Sequence, residues 1–397
     1  MLVLWLQKGD RSVESRPYVF LGPGIGGAIA YLAWTCALLM VPGCKSGIIV
    51  EPAPRTQELL VVQRAGKPGG PTGEEMVVHA VGAGKVWQRS LGEGRHPLWS
   101  PGGDRLAFSR SVGGTALDQV FVAQLAHWAP RRLLETRSAC YPYSWSSDGG
   151  NVYVGADSRV AAVEAETGEV TYIGPTDGIF GSPMVSPDGR HIAFGRVYPE
   201  YPGTRGGIQV WVMGADGSST RPVSQRKGEF APIGWTFDSK RLLFYGLGTV
   251  WAYSVQTGAT HRVSPPSVAA FDPSVAQGGR YLTYAAVKDG RLVAQAAGPP
   301  AALQSVGEIE IDLLDLAKDT PKAIASEVRP VTWVMSPVSK ADGSLVAWIA
   351  WQAKGRTVLK VYDVARRAEV DRIAAPADTT FMKLYWRPVV VQGKARA

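Results

Sequence analysis

Cysteine and histidine are scarce in this chain, and both shortages exclude chemistry. Only three Cys occur in 397 residues, at 36, 44 and 140. Cys36 lies in an apolar leader and Cys44 directly follows it, so only Cys140 falls in the folded part and no internal disulfide can form there. The setting of Cys140, between Ala139 and Tyr141, reads as a strand interior and an inert buried thiol. The five His (His79, His96, His127, His191, His261) never stand within four residues of one another, which rules out an HExxH zinc pair. His191, beside a turn, reads as an exposed strand residue.

Other motifs are missing too. No GxSxG nucleophile elbow occurs. Gly22 to Gly27 fits GxGxxG literally but follows no strand, and Val81-Gly82-Ala83-Gly84-Lys85 lacks the first Gly and the Ser/Thr of a phosphate loop. The net charge of +8 is spread thinly, with no basic run longer than Arg131-Arg132 or Arg366-Arg367. A stacked aromatic and basic platform for nucleic acid is not present. This pattern calls for no cofactor, no metal and no nucleic-acid partner.

What is present begins with an export signal. Lys8, Arg11 and Arg16 precede an uncharged apolar stretch from Gly24 to Pro42, which ends in Val41-Pro42-Gly43-Cys44. The ending resembles a bacterial lipoprotein lipobox, with Val41 and Pro42 departing from the favoured residues. The resemblance implies removal of residues 1–43, lipid attachment at Cys44 and a lipid-anchored location in a bacterial cell envelope. Residues 44–57, with two Pro, read as a tether, and 58–397 as the folded domain.

The domain repeats itself. Ser186-Pro187-Asp188-Gly189-Arg190-His191-Ile192-Ala193-Phe194 is a tight turn followed by a strand. Copies stand at SPGGDRLAF (100–108), SSDGGNVYV (146–154), TFDSKRLLF (236–244), AQGGRYLTY (276–284) and KADGSLVAW (340–348). Their last residues are spaced by 46, 40, 50, 40 and 64. Short Val-, Tyr-, Phe- and Trp-rich strands at that period specify one blade of a β-propeller per repeat. The recurrent Asp148, Asp188, Asp238 and Asp342, with Gly189, are turn formers, and Trp99, Trp145, Trp235 and Trp386 are core residues between blades.

Six blades start near 96, 141, 181, 231, 269 and 329. LLVVQRA (59–65), EMVVHAV (75–81) and KVWQRSL (85–91) supply three strands of another, and Phe381 to Pro388 supplies its missing first strand. The expected fold is therefore all-β: one propeller of seven four-stranded blades, closed by the C-terminal strand joining the N-terminal blade. Six blades would require 285–330 to be an insertion. Within that region Glu308-Ile309-Glu310-Ile311-Asp312 alternates like a half-buried strand with its charges in solvent.

The SPDG-then-apolar repeat resembles the WD-repeat-like propeller repeat of the TolB family, over about residues 58–388. The family's propellers imply protein–protein contact with an envelope partner, here without TolB's N-terminal α/β domain. The expected function is a non-catalytic binding scaffold working through one face, with the aromatic, Pro-rich loop 198–207 as binding segment. Its candidate residues are Tyr198, Glu200, Tyr201 and Arg205. Two alternatives stay open: a propeller enzyme acting on glycans as lyase or glycosidase, and a sensor that binds a small molecule in the channel.

Overall fold

A computed structural model describes residues 57–65, 73–81, 88–113, 117–199, 206–224, 228–288, 308–318, 320–328, 331–352 and 355–388. The export signal, Cys44 and the tether lie outside them. The described residues contain seven four-stranded antiparallel sheets and no α-helix. Blade 1 is assembled from both chain ends, with Thr379–Trp386 beside Gln57–Ala65, then Gly73–Val81 and Gln88–Glu93. Blades 2 to 7 follow in sequence order over 95–134, 141–173, 179–222, 230–262, 268–328 and 331–374. Within 285–330, Glu308–Asp315 and Thr320–Val328 therefore form the outer strands of blade 6, and seven blades stand.

Each repeat makes a strand pair because its turn chemistry is local. In SSDG, SPDG and TFDS the hydroxyl of Ser146, Ser186 or Thr236 donates to the Asp two residues on, at 2.6, 2.6 and 2.7 Å. The same hydroxyl oxygen receives the backbone N–H five residues on, at 2.8 to 3.0 Å. The fourth turn residue has positive φ in every copy, 71° at Gly189 and 59° at Ser239, where Gly is the natural choice.

The strands read as apolar runs because both faces of every blade are covered. The buried residues fall into seven clusters, one between each pair of neighbouring blades. The tryptophans before the turns reach across these joints. Trp145 Nε1 donates to Leu98 O at 3.0 Å, Trp235 Nε1 to Met184 O at 2.9 Å and Trp386 Nε1 to Val338 O at 3.1 Å. Trp99 occupies the same repeat position, but its buried Nε1 has no partner. A buried ion pair also crosses a joint. Lys360 Nζ lies 2.6 and 2.7 Å from the two oxygens of Glu327, and Trp348 Nε1 donates to Oε1 at 2.7 Å.

Ring closure pairs Leu59 with Trp386 and Ala65 with Thr379, with one register shift at Val62/Gln63. Phe381 is fully buried among Leu59, Val61, Leu359 and Val361. His79, also buried, packs edge-on against Phe381 at 6.2 Å, and neither ring nitrogen has a partner. Arg387 then pairs with Glu58, donates to Gly103 O at 2.7 Å and lies over the Trp99 ring at 5.7 Å.

Three local expectations change. The fourth strand of blade 1 is Gln88–Glu93, two to three residues later than KVWQRSL suggests. His191 is half-buried, with its ring 6.1 Å from the neighbouring blade's Trp235. In Glu308–Asp315 the alternation stops at Asp312, which is only 5% exposed. A register shift between Ile311 and Asp312 turns that carboxylate inward, toward the buried Tyr284 phenol.

Candidate binding face and central channel

Antiparallel blades place their connections on two opposite faces. The connections between first and second strands of blades 2 to 7 are all five residues long, the repeat turns at 100–104, 146–150, 186–190, 236–240, 276–280 and 340–344. The other face carries the connections between second and third strands, which include 66–72, 112–117, 199–206 and 289–307. Turn residues Asp148, Asp188, Gly189, Asp238 and Asp342 thus lie on the short-turn face, away from the loop that starts after Tyr198. Their carboxylates are held below the usual range. For Asp148 the Ser146 hydroxyl and the Gly150 N–H do this; for Asp188 burial opposes, and the Ser186 hydroxyl and Arg190 N–H outweigh it.

Of the candidate loop residues, Tyr198 ends its strand on the long-loop face; Glu200, Tyr201 and Arg205 lie outside the described residues. Tyr198 belongs to a connected set of polar and aromatic contacts at the end of its strand. Tyr198 Oη donates to Gln209 Oε1 at 3.1 Å, Trp211 Nε1 donates to the same oxygen at 3.1 Å, and Gln209 Nε2 donates to Ser224 O at 2.5 Å. The Arg196 guanidinium lies 5.5, 5.6 and 5.4 Å from the Phe180, Tyr198 and Trp211 rings, and pairs with Asp177 at 3.3 Å. Among the described residues five large apolar side chains are exposed: Leu117, Tyr172, Ile179, Phe237 and Leu247. Only Phe237 belongs to the short-turn face. Leu117 and Leu247 lie in long-loop-face connections, Ile179 opens a first strand there, and Tyr172 bonds Asp157 of such a turn at 3.3 Å.

The first strands of neighbouring blades pack against one another around the ring and line the central channel. Each carries a deviation three residues before its end. His96, Ser182, Asp272 and Ser336 have φ of 50°, 53°, 43° and 50°, at register shifts, and each precedes Pro. Pro142 and Pro232 take the same place in blades 3 and 5, and Lys383 takes it in blade 1. A strand whose outer edge faces a channel has no ladder partner there, so Pro and a bulge cost little.

In blades 1, 2, 3 and 6 this geometry brings together residues that are distant in sequence. Lys383 Nζ lies 2.7 Å from Asp272 Oδ1, across the intervening blade, and Asp272 Oδ2 accepts the Ser336 N–H at 2.5 Å. The Lys383 side chain is 47% exposed, on a first strand that lines the channel. Burial works against its charge and the Asp272 carboxylate outweighs that, so its pKa is raised. His96 meets the Tyr141 ring edge-on at 4.6 Å. Ser109 Oγ donates to Arg95 O at 3.1 Å, so it receives the His96 Nδ1 hydrogen across 3.2 Å and leaves Nε2 as the acceptor. Burial holds the His96 pKa down, against the pull of Glu74 and Asp118. Tyr141 and Tyr385 are raised, mainly by burial. Arg95 is matched to Asp118 at 3.4 Å and Glu74 at 3.9 Å.

Sequence reasoning missed this cluster. The available signal was the Pro that recurs two or three residues before the end of six first strands. Cys140 lies just ahead of the strand Tyr141–Trp145 rather than inside one; it is fully buried and its thiol is pushed up to about 12, chiefly by burial, which suits an inert side chain. Among the described residues no three His, Cys, Asp or Glu stand together as a metal site.

The chain is thus a seven-bladed β-propeller, closed by its C-terminal strand, with a polar channel cluster and an asymmetric pair of faces. It is similar to an oligogalacturonate lyase in complex with manganese, at 12% identity and a TM-score of 0.55, over 79% of this chain and 84% of that one. It is also similar to the β-propeller domain of the Trilobed protease from Pyrococcus furiosus, at 14% and 0.55, over 81% and 98%. That domain has an open velcro topology, whereas here the last strand joins blade 1. TolB from Acinetobacter baumannii is a further neighbour, at 13% and 0.48, over 83% of each chain. At these identities the shared property is the propeller fold. No protein-family model and no curated protein sequence matches the chain.

Proposed function

We propose that this protein is a non-catalytic binding scaffold of the bacterial cell envelope, anchored by lipid at Cys44, which takes a protein partner on its long-loop face. The observation that carries the reading is the asymmetry of the two faces. One carries only connections of four to six residues; the other gathers the long connections and, among the described residues, four of the five exposed large apolar side chains. Tyr198, held with Gln209, Trp211 and Arg196, ends the strand that leads into the 199–206 segment, where Glu200, Tyr201 and Arg205 supply the contacts. The export signal ahead of Cys44 supports the location.

The test is crosslinking of the tagged full-length chain in envelopes, beside a variant in which 199–206 is replaced by Gly and Ser. One envelope protein recovered in near-stoichiometric amount with the first chain and lost with the second supports the reading. Equal recovery by both, or background alone, refutes it. Cys44→Ala is expected to release the protein from membranes.

A further inference from the structure

We infer that the central channel holds a second, independent site, formed by His96, Tyr141 and Lys383, which takes a neutral hydroxyl-rich ligand, a carbohydrate unit. Three observations carry this. His96 and Lys383 are exposed although they stand on first strands that pack around the ring, so their side chains border the channel. His96 and Lys383 hold the same place on Arg95–Trp99 and Thr379–Trp386, neighbouring first strands on the channel, and Tyr141 meets His96 ring to ring at 4.6 Å. These residues, almost 300 positions apart at the extremes, therefore form one cluster.

The charges of the cluster are already matched. Arg95 lies against Asp118 and Glu74, and Lys383 against Asp272, so neither cation offers an uncommitted charge to an anion. What remains is dipolar. His96 Nε2 is an acceptor fixed by the Ser109 contact, and the phenol of Tyr141 both donates and accepts. Lys383 has ammonium hydrogens beyond the one directed at Asp272. An aromatic ring beside fixed donors and acceptors, without free charge, suits the hydroxyls and C–H faces of a neutral sugar. The left-handed φ of His96 is shared with Ser182, Asp272 and Ser336, so it belongs to the repeat; the imidazole at that position does not.

The test is calorimetric titration of the purified domain with maltotriose, cellotriose and triacetylchitotriose, with a galacturonate trimer as the charged comparison. Saturable binding of at least one neutral trimer is expected, weakened about tenfold or more by His96→Asn and by Tyr141→Ala, which is about 1.4 kcal/mol or more. Asn tolerates the left-handed backbone, so His96→Asn preserves the fold, and an unchanged urea midpoint verifies it. Replacing 199–206 with Gly and Ser should leave sugar binding intact, which separates this site from the protein-binding face. The inference is overturned by any of three results: no neutral trimer binds, both variants bind as the parent does, or the galacturonate trimer binds more tightly than every neutral one.

Discussion

The tryptophans before the repeat turns offer a comparison that the protein itself sets up. Trp99 and Trp145 stand at the same place in adjacent blades, both about nine-tenths buried or more, both under an Arg guanidinium, at 5.7 and 5.2 Å. They differ in one respect: the Trp145 N–H reaches Leu98 O, whereas the Trp99 N–H is buried without a partner. Replacing either with Phe removes similar apolar area and leaves a similar void. At Trp145 the change also strips the Leu98 carbonyl of its indole donor, a further cost of about 1–3 kcal/mol. At Trp99 it deletes an unsatisfied donor, so part of the packing loss is offset. Trp145→Phe should therefore destabilise the domain by about 2 kcal/mol more than Trp99→Phe, and Trp235→Phe should resemble Trp145→Phe. Urea denaturation followed by fluorescence and far-UV circular dichroism measures both midpoints. Equal losses at positions 99 and 145 would refute the claim that interblade indole bonds stabilise this ring.

Three further outcomes are expected. Lys360→Met leaves the Glu327 carboxylate buried with only the Trp348 donor and should cost about 3–5 kcal/mol in the same assay, largely restored by adding Glu327→Gln. His79 is held neutral in the fold because burial lowers its pKa, against a smaller opposing pull from Asp371. The unfolded chain then takes the proton first, so this stability is full above pH about 6.5 and is lost as pH falls below it; His79→Leu should flatten that part of the urea-midpoint profile. In a chain with Cys36 and Cys44 changed to Ser, Cys140 should resist iodoacetamide at pH 8 and react once urea unfolds the domain, because the folded thiol is pushed up to about 12.

The fold was legible because its signals are local and repeated. A Ser or Thr, an Asp two residues later and a Gly make a turn wherever they occur, and six spaced copies count the blades. Even the closure could be read, from three strands at one end that lacked a first and a lone strand at the other that had no followers. The channel cluster was not legible, since His96 and Lys383 meet only when the ring closes. Each rests on a single position of a strand that otherwise reads as core. Glu327 and Lys360 hid for the opposite reason: charged residues in outer strands look like solvent-facing ones until a neighbouring blade covers them. Asp312 shows the limit of alternation, which a one-residue register shift reverses.

Closure by the last strand also sets a timetable. Leu59 cannot meet Trp386 until more than three hundred intervening residues have been made, so a growing chain carries an incomplete blade 1 almost to the end of its synthesis. During that interval the edge of Gln57–Ala65 is a row of unpaired backbone groups, open to any other strand. A chain that stops short of Thr379 never covers it. Premature termination or clipping near the C-terminus should therefore yield a sticky protein, while additions after Pro388 leave the closing strand intact.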